Sequence, residues 1–142
     1  MKLIIFTIAA MSLGAIVSLK AQTRSHFKHD LLALDSVYND CAMNGRSAIC
    51  AAEYEVQMDS FSNVVYRNLL AISPGKSKTA LTSNQNRWLK KKKQLFRIMD
   101  KKLDEMGDSD HPADVENFMP VYAKKAEYIK MRVLYLINKL PM

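Results

Sequence analysis

The chain is expected to be all-α: a small antiparallel bundle of three to four helices with one local disulfide, following an N-terminal signal peptide. Three observations carry this expectation. Apolar residues recur at intervals of three and four in four separate segments. The segments are divided by Asn44-Gly45, by Ser73-Pro74-Gly75 and by the stretch 107–114, all of turn-forming or helix-breaking composition. No stretch shows the strict apolar–polar alternation of a strand, and no repeat or low-complexity tract occurs.

The leader comes first. Met1-Lys2 precedes the apolar run Leu3 to Val17, and Ser18-Leu19-Lys20-Ala21 follows it. A basic start, an apolar core and a small residue before the cut are the parts of a secretory signal, so residues 1–21 are expected to be removed. The run is shorter than the roughly 20 residues a membrane span needs. Residues 22–142 then form a single domain, exported to the periplasm or beyond. With no Cys beside the cut, a lipid anchor is not expected. Losing Lys2 and Lys20 lowers the formal charge from +7 to +5. Export sets gene regulation aside, so the basic balance does not by itself indicate a nucleic-acid partner.

The first helix is read from about Asp30 to Met43, with Leu31, Leu34, Tyr38 and Cys41 on one face. The second runs from near Ser47 to the residues before Ser73. Its stripe is Cys50, Tyr54, Met58, Phe61, Val65, Leu69 and Ile72. Cys41 and Cys50 flank the turn between these helices and are the only cysteines. In an oxidising compartment they are expected to form a local disulfide, worth roughly 2–3 kcal/mol on the chain-entropy model. A redox or metal pair would call for C-x-x-C spacing or a nearby His.

The third helix is read from about Lys78-Thr79 to Met106-Gly107, with Leu81, Trp88, Leu95, Met99 and Leu103 on its stripe. The fourth is read from about Val115 or Met119 to Lys139, with Tyr122, Ile129, Val133 and Leu136 on one face. Pro120 suits its first turn. Charge is uneven here. Lys76 to Leu103 holds ten basic residues and one acid, whereas Asp104 to Asn117 holds six acids and no Lys or Arg.

Two stripes carry polar residues where core residues are expected. Asp59, Asn63 and Tyr66 stand at i, i+4 and i+7 on the second helix, and Gln85, Trp88 and Lys92 at i, i+3 and i+7 on the third. Buried polar groups persist when paired, so the two trios are expected to satisfy one another across a helix–helix seam. Asp59 with Lys92 is the expected ion pair.

The same residues carry a likeness. Cys41, Cys50, Asp59, Asn63, Tyr66, Leu81, Gln85 and Trp88 follow in order the pattern Cys, Cys, Asp-x-x-Leu-Asn-x-x-Tyr, Leu-x-x-Ala-Gln-Arg-x-Trp, with an Arg four residues on. Over about residues 40–94 the chain resembles the LprI-type lysozyme-inhibitor family of small secreted bacterial proteins. It departs from the pattern at Ser62 for Leu, Asn84 for Ala, Asn86 for Arg and Lys92 for the second Arg. Lys92 keeps the charge but not the bidentate fork. The likeness places the shared core at about residues 30–106, with the helix at about 115–139 as an addition.

The resemblance implies a partner: host-type lysozyme, inhibited by occlusion of its cleft. Such lysozymes are generally basic, so a lysozyme-facing surface would need acids, and Asp108, Asp110, Asp114 and Glu116 are the candidates. The alternative partner is an anionic envelope surface, lipid headgroups or phosphate-bearing polymers. It would be met by Arg87, Lys90, Lys91, Lys93, Arg97, Lys101 and Lys102 of the third helix.

Catalysis finds little material. His26, His29 with Asp30, and His111 among Asp108, Asp110 and Asp114 lack a spacing that fixes metal geometry. No nucleophile motif or Gly-rich phosphate loop is present. Trp88, the only tryptophan, lies on a core stripe, although an indole also suits sugar stacking. The expectation is a non-enzyme without cofactor or metal.

Overall fold

The computed structural model describes residues 22–107 and 116–142. Within them the chain is all-α, with four helices and no strand: α1 (Arg24–Met43), α2 (Ser47–Ile72), α3 (Gly75–Met106) and α4 (Met119–Ile137). A single 3-10 turn, Glu116–Phe118, leads into α4. The expected leader, residues 1–21, lies outside the described residues. No described helix is long and apolar enough to cross a membrane.

Helix α1 starts six residues before the expected Asp30. The cause is local: the Thr23 side chain accepts the His26 N–H at 3.4 Å as an N-cap. Phe27, one turn before Leu31, is wholly buried. Burial of a side chain that size contributes about 2–3 kcal/mol, enough to hold the extra turns. Arg24 then fastens this end to the end of the chain. Its guanidinium donates to the Leu140 carbonyl at 2.7 and 3.1 Å and to Asn138 at 2.8 Å. A cation thereby meets carbonyls at the C-terminus of α4.

The α1–α2 turn is closed by Gly45 at φ 78°, a backbone state that suits glycine. The Cys41–Cys50 disulfide spans it, with Cα atoms 5.8 Å apart. At the other end of α2 only Ser73-Pro74 separates two helices. Gly75 does not lie beyond a helix end but opens α3, three residues earlier than expected. Pro74 cannot continue α2, yet its carbonyl accepts the Lys78 N–H at 2.8 Å and starts the next helix at once.

Helices α2 and α4 form the central pair, with α1 against one flank of α2 and α3 along the other side. The core consists of Phe27 and Leu31 from α1; Tyr54, Met58, Val65 and Leu69 from α2; Leu81 from α3; and Ala126, Ile129, Val133, Leu136, Ile137 and Leu140 from α4 and its end. The C-terminal helix thus lies at the heart of the bundle, although the family-like motif stops before it. Helix α3 is the opposite case. Among its residues only Leu81 and Gln85 are buried, so its stripe rests half-covered and its outer face is open. Ile72, the last residue of the α2 stripe, is also exposed.

Candidate functional site

The inner face of α3 meets α2 and α4 along a polar seam. Lys92 Nζ lies 2.5 Å from Asp59 Oδ1, the expected pair, its side chain 15% exposed. Gln85, 3% exposed, turns to α4 rather than α2. Its Oε1 accepts from Arg132 Nε at 3.0 Å and Nη2 at 2.6 Å, and Asn84 Oδ1 accepts from Arg132 Nη1 at 2.7 Å. The planar fork missing at Lys92 is thus present on α4. Trp88 stacks on Tyr128, centroids 5.9 Å apart and planes 8° from parallel, and Phe96 meets Tyr128 edge-on at 6.2 Å.

Cations thread these rings. Arg132 sits 5.4 Å from the Trp88 centroid and 4.8 Å from Tyr135, and Lys92 lies over Trp88 and Phe96. Lys125, nearly buried, lies 5.0 Å over Phe96 between Asp100 Oδ1 at 2.5 Å and Glu55 Oε2 at 3.6 Å. Each positive charge withdrawn from water therefore faces a carboxylate, an amide oxygen or a ring.

The expected network is partly redrawn. Tyr66 packs half-buried against the core, but Asn63 is exposed and makes no side-chain hydrogen bond among the described residues. Four residues on from Asp59, it has rotated about 40° further round the helix. Ser62, at the position where the family pattern has Leu, is 1% exposed, and its Oγ has no partner among the described residues. An apolar side chain would suit that site better.

Burial lowers the Arg132 pKa from the usual arginine value, with Tyr135, Tyr66 and Tyr128 opposing. Burial also raises the Glu55 carboxyl above its ordinary value, outweighing the pull of Lys125, which Asp100 shares. The folded state therefore holds the Glu55 proton more tightly than the unfolded chain. Its contribution to stability is favourable below pH 4.5 and is lost as pH rises from there through the raised folded value. We expect Glu55→Gln to be at least as stable as the parent at pH 7 by urea unfolding, with its advantage growing from pH 4.5 upward. A variant less stable at pH 7 would mean that attraction to Lys125 outweighs desolvation.

A second small cluster joins α1, α2 and α4. Tyr54 Oη donates to Asp35, and Lys130 Nζ donates to the other Asp35 oxygen at 2.8 Å. Burial, then the bond to Asp35, push the Tyr54 pKa far above the phenol range, so the residue stays a donor. Tyr38 stacks on Tyr54 with centroids 4.5 Å apart.

The outer face of α3 is chemically opposite. Arg87, Lys90, Lys91, Lys93, Arg97, Lys101 and Lys102 are all exposed. Lys90, Arg97 and Lys101 follow at i, i+7 and i+11, which stacks them on one face. Only one ion pair occurs among these seven within the described residues, Lys101 with Glu105 at 3.6 Å, both ends well exposed.

Of the candidate acidic surface, only Glu116 falls within the described residues. Asp108, Asp110 and Asp114, with His111, lie outside the described residues. Glu116 is exposed and accepts a hydrogen bond from Ser47 Oγ. His26 and His29 stand on α1, 3.5 and 3.7 Å from Asp30, and no described group of three His, Cys, Asp or Glu side chains is placed to hold a metal ion.

Arg132, Lys125 and Tyr128 are what the sequence reading missed, and a signal existed. They stand at i, i+3 and i+7 on α4, the spacing that singled out Gln85, Trp88 and Lys92 on α3. Comparison with protein-family models, with curated proteins and with solved structures finds no match for this chain.

Proposed function

We propose that the protein is a non-enzymatic envelope module, exported after loss of residues 1–21, that docks on anionic phosphate-bearing surfaces through the outer face of α3. One observation carries this reading: seven exposed cations line that face with a single weak intrahelical ion pair among the described residues. From Arg87 to Lys102 they extend over roughly 22 Å of helix. The inner seam supports the reading, because packed aromatics and Arg132 hold the helix in one orientation and present the charges in a fixed row. Each Lys or Arg at an anionic surface contributes about 1 kcal/mol.

The motif residues behind the lysozyme-inhibition reading, Asp59, Gln85 and Trp88, make internal contacts, so that reading rests on the acids Asp108, Asp110, Asp114 and Glu116, of which Glu116 alone is described. Potent lysozyme inhibition by the purified protein would favour it.

The test is co-sedimentation of residues 22–142 with phosphatidylglycerol vesicles. We expect binding at low salt, release as the ionic strength approaches about 0.5 M, and none to phosphatidylcholine. Equal retention on both lipids, or retention insensitive to salt, would overturn the proposal.

A further inference from the structure

A cleft of about 840 Å³ opens where the start of α3 meets the ends of α2 and α4. That lies within the roughly 300–1,000 Å³ of small-molecule sites. Its floor is apolar: Leu69, Leu81 and Leu140 are core residues whose edges reach the cleft, and Ile72 is 38% exposed beside them. Its cations are Arg87 and Lys139, and no Asp or Glu among the described residues lines it. Neither cation has an ion-pair partner among the described residues; Lys139 lies only over the Tyr135 ring, at 4.9 Å. The first turn of α3 beside them carries no acid, and its cap, Pro74, has no side-chain acceptor.

A cleft with an apolar floor, a rim that includes Ser73, Ser77 and Asn84, and two cations with no acid among the described residues is complementary to one kind of ligand. We propose that this cleft binds an amphiphilic anion, an alkyl chain ending in a carboxylate, with the chain over Leu69, Leu81 and Leu140 and the head between Arg87 and Lys139. A neutral alkane would leave both cations facing apolar surface, and a free inorganic anion would leave the floor wet, so both halves of the ligand are required. The site overlaps the outer row of α3 at Arg87 alone. Lys139 and Ala80 belong to the cleft and not to the seven-residue row.

The test is calorimetric titration of residues 22–142 with laurate below its micelle concentration. Acetate supplies the head alone, and dodecyltrimethylammonium supplies a similar tail with the opposite charge. We expect one laurate site per chain, no binding of acetate, and dodecyltrimethylammonium weaker by about tenfold or more. Lys139→Gln weakens laurate by about tenfold, the scale of one charge-assisted contact. Ala80→Phe fills the cleft and abolishes binding, with an unchanged melting temperature and unchanged retention on phosphatidylglycerol vesicles. No laurate binding, equal binding of the cationic amphiphile, or full binding by a folded Ala80→Phe would each overturn the proposal. Failure of vesicle binding alone bears on α3 and not on this cleft.

Discussion

Replacing Arg132 with Ala is expected to lower the unfolding free energy by about 3–4 kcal/mol, a large share of the 5–15 kcal/mol typical of a domain. Arg132 is 6% exposed and holds three hydrogen bonds, two to Gln85 Oε1 and one to Asn84 Oδ1. Truncation leaves Gln85 Oε1 buried without its donors, which costs about 1–3 kcal/mol alone. It also removes the plane packed against Trp88 and Tyr135, so the aromatic stack loses a neighbour. Arg132→Met separates the two effects: it refills most of the volume but leaves Gln85 unpaired. It should recover less than half of the loss. Arg132→Lys should do little better, because a single ammonium cannot match the fork. Urea denaturation with an unchanged slope would measure each; a loss below about 1 kcal/mol in the Ala variant would show that the buried pairing is not what fastens α3 to α4.

The second large effect concerns binding. Neutralising the outer row as Lys90→Gln, Arg97→Gln and Lys101→Gln together should weaken binding to phosphatidylglycerol vesicles by about 100-fold, from about 1 kcal/mol per cation. Stability should stay within about 0.5 kcal/mol, since all three side chains are exposed and the one ion pair they lose, Lys101 with Glu105, is a surface pair. The salt dependence should flatten in step with the lost charges.

The legible parts of this molecule are those that depend on one helix at a time. The α2 stripe from Cys50 to Leu69 and the α2 boundaries follow from periodicity and from Ser73-Pro74. The Asp59–Lys92 pair was legible because each residue interrupts an apolar stripe and each needs a partner. What was hidden depends on neighbours. Gln85 has a period-based partner on α2 and a better one, Arg132, on α4, and no single-helix pattern reveals which helix lies closer. The place of α4 beside α2 is likewise a matter of packing, not of sequence order. The early start of α1 needed Phe27 to be counted with Leu31 despite the polar residues around it. The cleft is still less visible, since Ile72, Arg87, Lys139 and Leu140 come from three separate segments.

We propose that α3 divides its cations, with Lys92 turned inward for structure and the exposed outer row facing a surface. The most direct measurement is vesicle affinity for Lys92→Gln beside the outer triple variant, with the unfolding free energy of each. Lys92→Gln should lose stability yet keep its affinity for phosphatidylglycerol within about twofold, while the triple variant should keep stability and lose affinity. If Lys92→Gln weakens vesicle binding as much per charge as the outer row, α3 acts only through its total charge and the division does not exist.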